Sequence, residues 1–234
     1  MHGLSVGDEL TAIGPKNDFE LSQNAGRSIL IAGGIGITPI LSMACELDRR
    51  QAPFFLHYAC RTPEAMAYRA EAERFGAARA RLYFDGGRPE DGLQLPAVLA
   101  LPKPGAHVYV CGPRPLIDAT IATAREIGWE LSQIHFELFS NGVVSGGNRL
   151  QVELRRSSLK LDVRPDQTIL DAMIEAGCDP MFDCKRGECG ACSVKVLEGE
   201  AEHRDYCLSE DERADNMMCV CVSRAHSMKL VLDA

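Results

Sequence analysis

Basic charge is in short supply in this chain: 25 Lys and Arg stand against 33 Asp and Glu, a formal net charge of -8. Neither half escapes the deficit, with 13 basic against 16 acidic residues in 1–147 and 12 against 17 in 148–234. A nucleic-acid partner, which needs a concentrated positive face, is therefore not expected. A secretory leader is missing as well, because MHGLSVGDEL has no basic stretch followed by an apolar run, and a cytoplasmic location is expected. Unbroken apolar runs of membrane-spanning length are absent too. The one stretch long enough, residues 28–47, is interrupted by Gly33, Gly34, Gly36, Thr38, Pro39 and Ser42, so a buried strand, a tight loop and a buried helix account for it better than a membrane span. There are no internal repeats and no low-complexity tracts.

What is present begins with size. A chain of 234 residues with 46% hydrophobic composition is expected to build two cores rather than one. From residue 28 to about 141, short apolar runs at 28–32 (SILIA), 54–59 (FFLHYA), 81–84 (RLYF), 107–111 (HVYVC) and 134–138 (IHFEL) read as strands. Segments 39–50, 64–75, 93–100 and 115–127 read as helices. Strands joined by helical crossovers imply a parallel α/β sheet. Residues 141–148 (NGVVSGGN) are rich in turn formers and read as a linker. Beyond them the pattern changes. Residues 150–154 and 159–163 alternate like a hairpin, and 168–176 make a short helix. In that helix Thr168 with Asp171 fits a capping pair and Gly177 a C-terminal stop. Segments 193–197, 217–222 and 228–232 supply further strands of a small mixed sheet.

Ten cysteines invite disulfides, but seven of them fall in the last 57 residues, and a reducing compartment argues for metal instead. Cys184, Cys189 and Cys192 form C-x4-C-x2-C, with further cysteines at Cys219 and Cys221. This is the plant-type 2Fe-2S ferredoxin spacing. Three thiolates in one loop wrap the cluster, and a fourth from a distant segment closes it. Gly187 and Gly190 allow the loop to turn backbone N–H groups toward the sulfurs. A zinc site would need a second short knuckle, and the x1 spacing of Cys219 and Cys221 does not provide one. Strand alternation would turn both of these to the same face, which leaves the fourth ligand open on spacing alone. Cys45, Cys60, Cys178 and Cys207 read as small core residues.

After SILIA comes Gly33-Gly34-Ile35-Gly36-Ile37-Thr38-Pro39. Thr38 is expected as N-cap and Pro39 as N1 of the following helix, whose positive end would face a pyrophosphate. The pattern departs from G-x-G-x-x-G and is weak by itself. Cys111-Gly112-Pro113 and Phe136-Glu137-Leu138-Phe139 end two other strands on the same expected edge, and the three segments together suggest one site.

The stretches LIAGGIGITPILSM, VYVCGPRPLIDA, IHFELFSN, CKRGECGACSVKVLEGEAEHRDYCLSEDER and CVSRAHSMKLVLD resemble the phthalate dioxygenase reductase type of oxygenase reductase, which includes the reductases of vanillate demethylation. The resemblance implies a ferredoxin reductase-like NAD-binding α/β domain (25–140) and a β-grasp ferredoxin domain (149–234), with the linker at 141–148. It implies electron flow from NADH through FMN to the 2Fe-2S cluster, and on to a Rieske-type oxygenase as partner. Carried over by residue, it places Gly33, Gly34, Gly36, Thr38 and Pro39 by the pyrophosphate and nicotinamide, with Gly112 and Pro113 allowing close approach. It places Cys111 by the reacting ring, Glu137 and Phe139 beside flavin and nicotinamide, and Arg61 at the adenosine end. It selects Cys221 as fourth ligand to the metal.

Residues 1–24 resemble only the closing strands of the family's flavin barrel, and the Arg-x-Tyr-Ser flavin motif has no counterpart. The sequence is therefore expected to be a shortened form, and to act either as a reductase component or as a ferredoxin-like carrier without NADH oxidation of its own. A monomer is expected. The acid-rich stretch 198–215, with eight carboxylates against Arg204 and Arg213, is expected as either a docking face for the oxygenase or a solvated loop.

Overall fold

The computed structural model describes residues 3, 5–11, 14, 17–23, 25–100, 102, 104–139 and 148–234. The chain divides into two compact units, Met1–Phe139 and Ser140–Ala234. Residues 141–147, most of the expected linker, lie outside the described residues.

In the first unit the elements are β1 (Arg27–Gly33), α1 (Ile37–Arg49), β2 (Phe54–Cys60), α2 (Arg69–Glu73), β3 (Ala80–Phe84), α3 (Leu95–Leu99), β4 (Ala106–Cys111), α4 (Arg114–Ile127) and β5 (Ile134–Glu137). The sheet order is β3-β2-β1-β4-β5 and every pairing is parallel. Near-continuous burial along β1 and β4 follows from helices on both faces. On the α1 side Leu30, Leu56, Tyr58, Ile40 and Ala44 form the centre of the core. None of the described residues before Arg27 lies in a strand, but the segment is held to the sheet. Phe19 is buried with its ring 6.1 Å from that of Tyr109, and the Ser22 N–H donates to the Tyr109 hydroxyl at 2.8 Å.

The expected helix at 64–75 is a correction: only Arg69–Glu73 is helical. Tyr68 at φ +53 turns the chain left-handed and breaks the helical path ahead of Arg69. The N-terminus of α1 also differs from expectation. Gly34–Gly36 form a 3-10 turn that winds directly into α1, so Ile37 opens the helix and Gly36 precedes it without a side-chain cap. Thr38 and Pro39 therefore lie in the first turn, and the Thr38 hydroxyl donates back to the Ile35 carbonyl at 3.1 Å.

The second unit contains β6 (Leu150–Leu154), β7 (Leu159–Val163), α5 (Ile169–Glu175), β8 (Ser193–Glu198), β9 (Ala201–Glu202), α6 (Glu210–Ala214), β10 (Met217–Cys219), β11 (Arg224–Ala225) and β12 (Lys229–Leu232). Its main sheet runs β10-β8-β12-β6-β7. β12 is parallel to β6 and the other neighbours are antiparallel, while β9 and β11 form a separate ribbon. Ile169, Leu170, Ala172 and Met173 of α5 are buried against this sheet. Thr168 caps the helix, accepting from the Asp171 N–H at 2.9 Å. Gly177 at φ +81 ends it, with the Cys178 N–H reaching back to the Met173 carbonyl at 3.0 Å.

The expected strand at 217–222 stops at Cys219. The Val222 and Ser223 N–H groups both turn back to the Cys219 carbonyl, so Cys219 and Cys221 are not related by strand alternation.

Candidate functional site

In the first sheet the strand order reverses between β1 and β4: β2 and β3 lie on one side, β5 on the other. Ligands of open α/β sheets bind outside the carboxyl ends of the strands at such a reversal. Gly33 ends β1 and Cys111 ends β4, so the glycine turn and the Cys111-Gly112-Pro113 segment both stand at that point. They touch. A Cβ on Gly36 would lie 2.2 Å from the Cys111 carbonyl oxygen and 2.6 Å from the Gly112 nitrogen, so only glycine lets the turn sit on the end of β4.

Cys111 is fully buried, and Glu137 is its register partner on β5. Glu137 and Pro39 line one cleft of about 480 Å³, together with Phe19, Leu21 and Met43. Phe139 stands beyond β5 with its ring exposed, outside the residues lining that cleft. Arg61 follows β2 on the same edge of the sheet and is exposed.

One residue of this site escaped the sequence reading. Tyr58, fully buried on β2, donates to the carbonyls of both Gly34 and Ala67 at 3.0 Å. It ties the glycine turn to the loop ahead of α2, and burial pushes its hydroxyl up to about 12, so it remains a donor at any ordinary pH.

The second unit holds seven of the ten cysteines. Cys184 is half-buried, Cys189 exposed, and Cys192, Cys219 and Cys221 are buried. The Arg186 N–H donates to the Cys184 sulfur at 3.3 Å. Burial pushes the Cys184 thiol up, but N–H groups of Arg186, Glu188 and Cys189 outweigh that and the net direction is down. The side chains of Cys219 and Cys221 both bond Cys192 and bring it down to about 3, while each of those two is itself pushed up by Cys192. Thiols packed this closely can serve as metal ligands, since a coordinated metal deprotonates them.

Cys221 is tied to the loop, taking a bond from the Gly187 backbone and sensing Cys184. Cys219 instead lies 3.5 Å from the Cys207 sulfur. Gly187 is required where it stands: φ is +74, and a Cβ would meet Val222 at 2.7 Å and the Asp205 backbone at 3.0 Å. The donor chemistry and the N–H groups aimed at sulfur fit a 2Fe-2S cluster. Asp205, Cys207 and Cys219 also bring their ligand atoms within 4.8 Å of one another, but the Asp205 carboxylate is already taken by Arg213, Ser223 and the Leu208 N–H.

Residues 30–121 match the oxidoreductase NAD-binding domain family, and residues 152–226 match the 2Fe-2S iron-sulfur cluster binding domain family. The chain is 41% identical over 97% of its length to a carnitine monooxygenase reductase subunit of Acinetobacter pittii, covering 74% of that protein. It is 40% identical over 98% of its length to a phthalate 4,5-dioxygenase reductase subunit of Pseudomonas putida, covering 71% of that protein. The chain belongs to the phthalate dioxygenase reductase family. The solved structure of phthalate dioxygenase reductase superposes with a TM-score of 0.69 at 35% identity, over 94% of this chain and 69% of that one. A parallel-sheet NAD-binding domain and a ferredoxin domain are thus the two parts of an electron-transfer oxidoreductase. Among the described residues, no helix is long and apolar enough to cross a membrane.

Proposed function

We propose that the chain serves an electron path from NADH, by way of a flavin that takes the hydride, to a 2Fe-2S cluster held on Cys184, Cys189, Cys192 and Cys221, and from there to a Rieske-type oxygenase. The observation that supports this reading is the cysteine loop itself, which aims the Arg186 N–H at the Cys184 sulfur and needs glycine at 187, within the stretch matched to the 2Fe-2S cluster binding domain family. The cluster, when bound, supplies a one-electron store. The protein's own residues do the rest. The Gly34–Gly36 turn and Gly112 bring backbone against the pyrophosphate and the nicotinamide, with the first turn of α1 (Thr38, Pro39) offering its positive end. By the resemblance Cys111 would lie by the reacting ring, Glu137 and Phe139 beside flavin and nicotinamide, and Arg61 toward the adenosine; the burial of Cys111 at the end of β4 with Glu137 as its register partner supports the first two of these. Gly187 and Arg186 orient the sulfurs.

FMN belongs to this reading by resemblance. The sequence has no Arg-x-Tyr-Ser segment for it. A monomer in the cytoplasm belongs to the same proposal, since a reducing compartment suits cysteines that are offered to a metal.

The test is metal and sulfide analysis of purified protein with visible spectra of two variants. Two irons and two acid-labile sulfides are expected. Cys221→Ser is expected to lose or weaken the cluster spectrum and Cys219→Ser to keep it. One zinc without sulfide would sink the reading, and the reverse pattern of the variants would move the fourth ligand to Cys219.

A further inference from the structure

Among the described residues Asp205 is the one buried carboxylate. One of the eight acids of the stretch 198–215 is therefore turned away from solvent. Glu198 pairs with Arg155, Glu202 with Arg204, and Glu212 closes the cap of α6 on Ser209, while Asp205 points inward. Its carboxylate accepts from the Ser223 hydroxyl at 3.2 Å, the Leu208 N–H at 3.2 Å and the Arg213 guanidinium at 3.1 Å, with the His203 ring at 3.5 Å. Arg213 also donates to the Asp205 carbonyl at 3.0 Å.

These bonds reach both halves of the cysteine site. Ser223 lies two residues beyond Cys221. On the other side, the Tyr206 N–H donates to the Gly187 carbonyl at 2.9 Å, and Gly187 in turn bonds Cys221. The carboxylate lies within 4.8 Å of the Cys207 and Cys219 sulfurs, and Cys219 touches Cys192.

A carboxylate enclosed in this way is expensive to bury and is tolerated only with donors on every side. A neutral side chain would serve packing at lower cost. What a charge adds is a fixed field on a neighbouring redox group, whose potential responds to hydrogen bonds, burial and local charge.

We propose that Asp205, paired with Arg213, is a positioning residue that clamps the cluster loop to the Cys221 segment and sets the reduction potential of the cluster. This rests on the cluster ligation given above. Reduction adds one negative charge to the cluster. The Asp205 charge opposes that addition and the Arg213 charge favours it, so removing each should act with opposite sign. A purely structural clamp would give no such opposition, because either loss loosens the same contact.

The experiment is a dye-mediated equilibrium reduction of the full chain, followed by visible absorption and electron paramagnetic resonance, for the unaltered protein, Asp205→Asn and Arg213→Gln. Asp205→Asn is expected to favour the reduced cluster by about tenfold, which for a one-electron couple is about 59 mV upward. Arg213→Gln is expected to move it downward. Shifts of the same sign, or none in either variant, would overturn the proposal. Should Asp205→Asn not retain a cluster, Arg213→Gln decides alone: a fall in potential supports the role, and no change or a rise overturns it. An unaltered chain without any cluster would sink the cofactor reading itself, whereas a cluster indifferent to both substitutions would sink only the role of Asp205.

Discussion

Gly36→Ala is a severe perturbation that changes a single methyl group. The φ of Gly36 is -61, ordinary for any residue, so the cost is entirely one of space. The added carbon would stand 2.2 Å from the Cys111 oxygen and 2.4 Å from its carbonyl carbon, whereas non-bonded carbons at contact stand about 3.5–4.0 Å apart. The turn must withdraw from β4 by about 1 Å or more, and neither side yields easily, since Cys111 is held between β1 and β5. Overpacking of this kind costs about 1–3 kcal/mol, and a clash between two backbone segments belongs at the upper end. With a urea slope of about 1–3 kcal/mol per molar, the unfolding midpoint should fall by roughly 1 M. Trp129 is the single tryptophan of the chain, buried in the first unit with its indole N–H on the Leu99 carbonyl at 2.9 Å, so its fluorescence reports this unit alone. NADH affinity should fall about tenfold or more, since about 1.4 kcal/mol of lost binding suffices. Gly34→Ala is the control for conformation rather than space: nothing lies within 4 Å of its Cβ but φ is +54, a cost of about 1–2 kcal/mol. A Gly36→Ala protein with an unchanged midpoint and unchanged NADH affinity would refute the close approach and its role.

Tyr58→Phe keeps the ring and removes the bonds to Gly34 and Ala67; a loss of about 1–2 kcal/mol in the first unit and a few-fold weaker NADH binding are expected by urea titration and NADH fluorescence. Arg224→Met removes a buried guanidinium that donates to the carbonyls of Arg164, Gln167 and Asn148, and should destabilise the second unit by about 2–4 kcal/mol, seen as faster loss of the cluster spectrum in urea. His57 is brought down to about 4, by burial first and then by Arg81 and Arg27. Its neutral form is the folded one, so the unfolded chain takes up the extra proton. First-unit stability should then be complete above about pH 6.5 and decline toward pH 4, by up to about 1.4 kcal/mol per pH unit. His57→Gln should flatten that part of the profile, and an unchanged slope would remove His57 as its source.

The α/β alternation and the small mixed sheet were legible because periodicity records which faces are buried. Thr168, Asp171 and Gly177 were legible because a cap and a left-handed stop need particular residues at fixed offsets. The error at Thr38 has a physical source: a 3-10 turn that feeds a helix leaves no gap for a side chain to cap. Tyr58 was hidden because its partners lie 24 and 9 positions away, and a tyrosine on a strand reads as core. Asp205 was hidden by its company. Among so many acids a carboxylate reads as solvent-facing, and only the folded chain brings Ser223, Leu208 and Arg213 around it. Spacing could not separate Cys219 from Cys221, and the turn that ends β10 at Cys219 is a local backbone event that alternation does not encode.

The sharpest functional consequence concerns the electrons. NADH gives up two as a hydride, while a 2Fe-2S cluster accepts one at a time, so a two-electron acceptor normally stands between them. The nicotinamide-side segments Gly33–Pro39 and Cys111–Pro113 are present in this sequence, and the Arg-x-Tyr-Ser segment is not. Without an acceptor held against the nicotinamide, both the chemistry and the orientation of the reacting rings are lost. The 234-residue chain should therefore keep its cluster oxidised when mixed anaerobically with NADH. Dithionite should bleach it, because Cys189 is exposed and direct one-electron transfer needs no intermediary. Addition of a separately expressed flavin barrel should restore bleaching by NADH, and failure of that addition would favour a ferredoxin-like carrier. Rapid bleaching by NADH alone would refute the argument, and would mean that this chain binds a flavin through residues outside the family's motif.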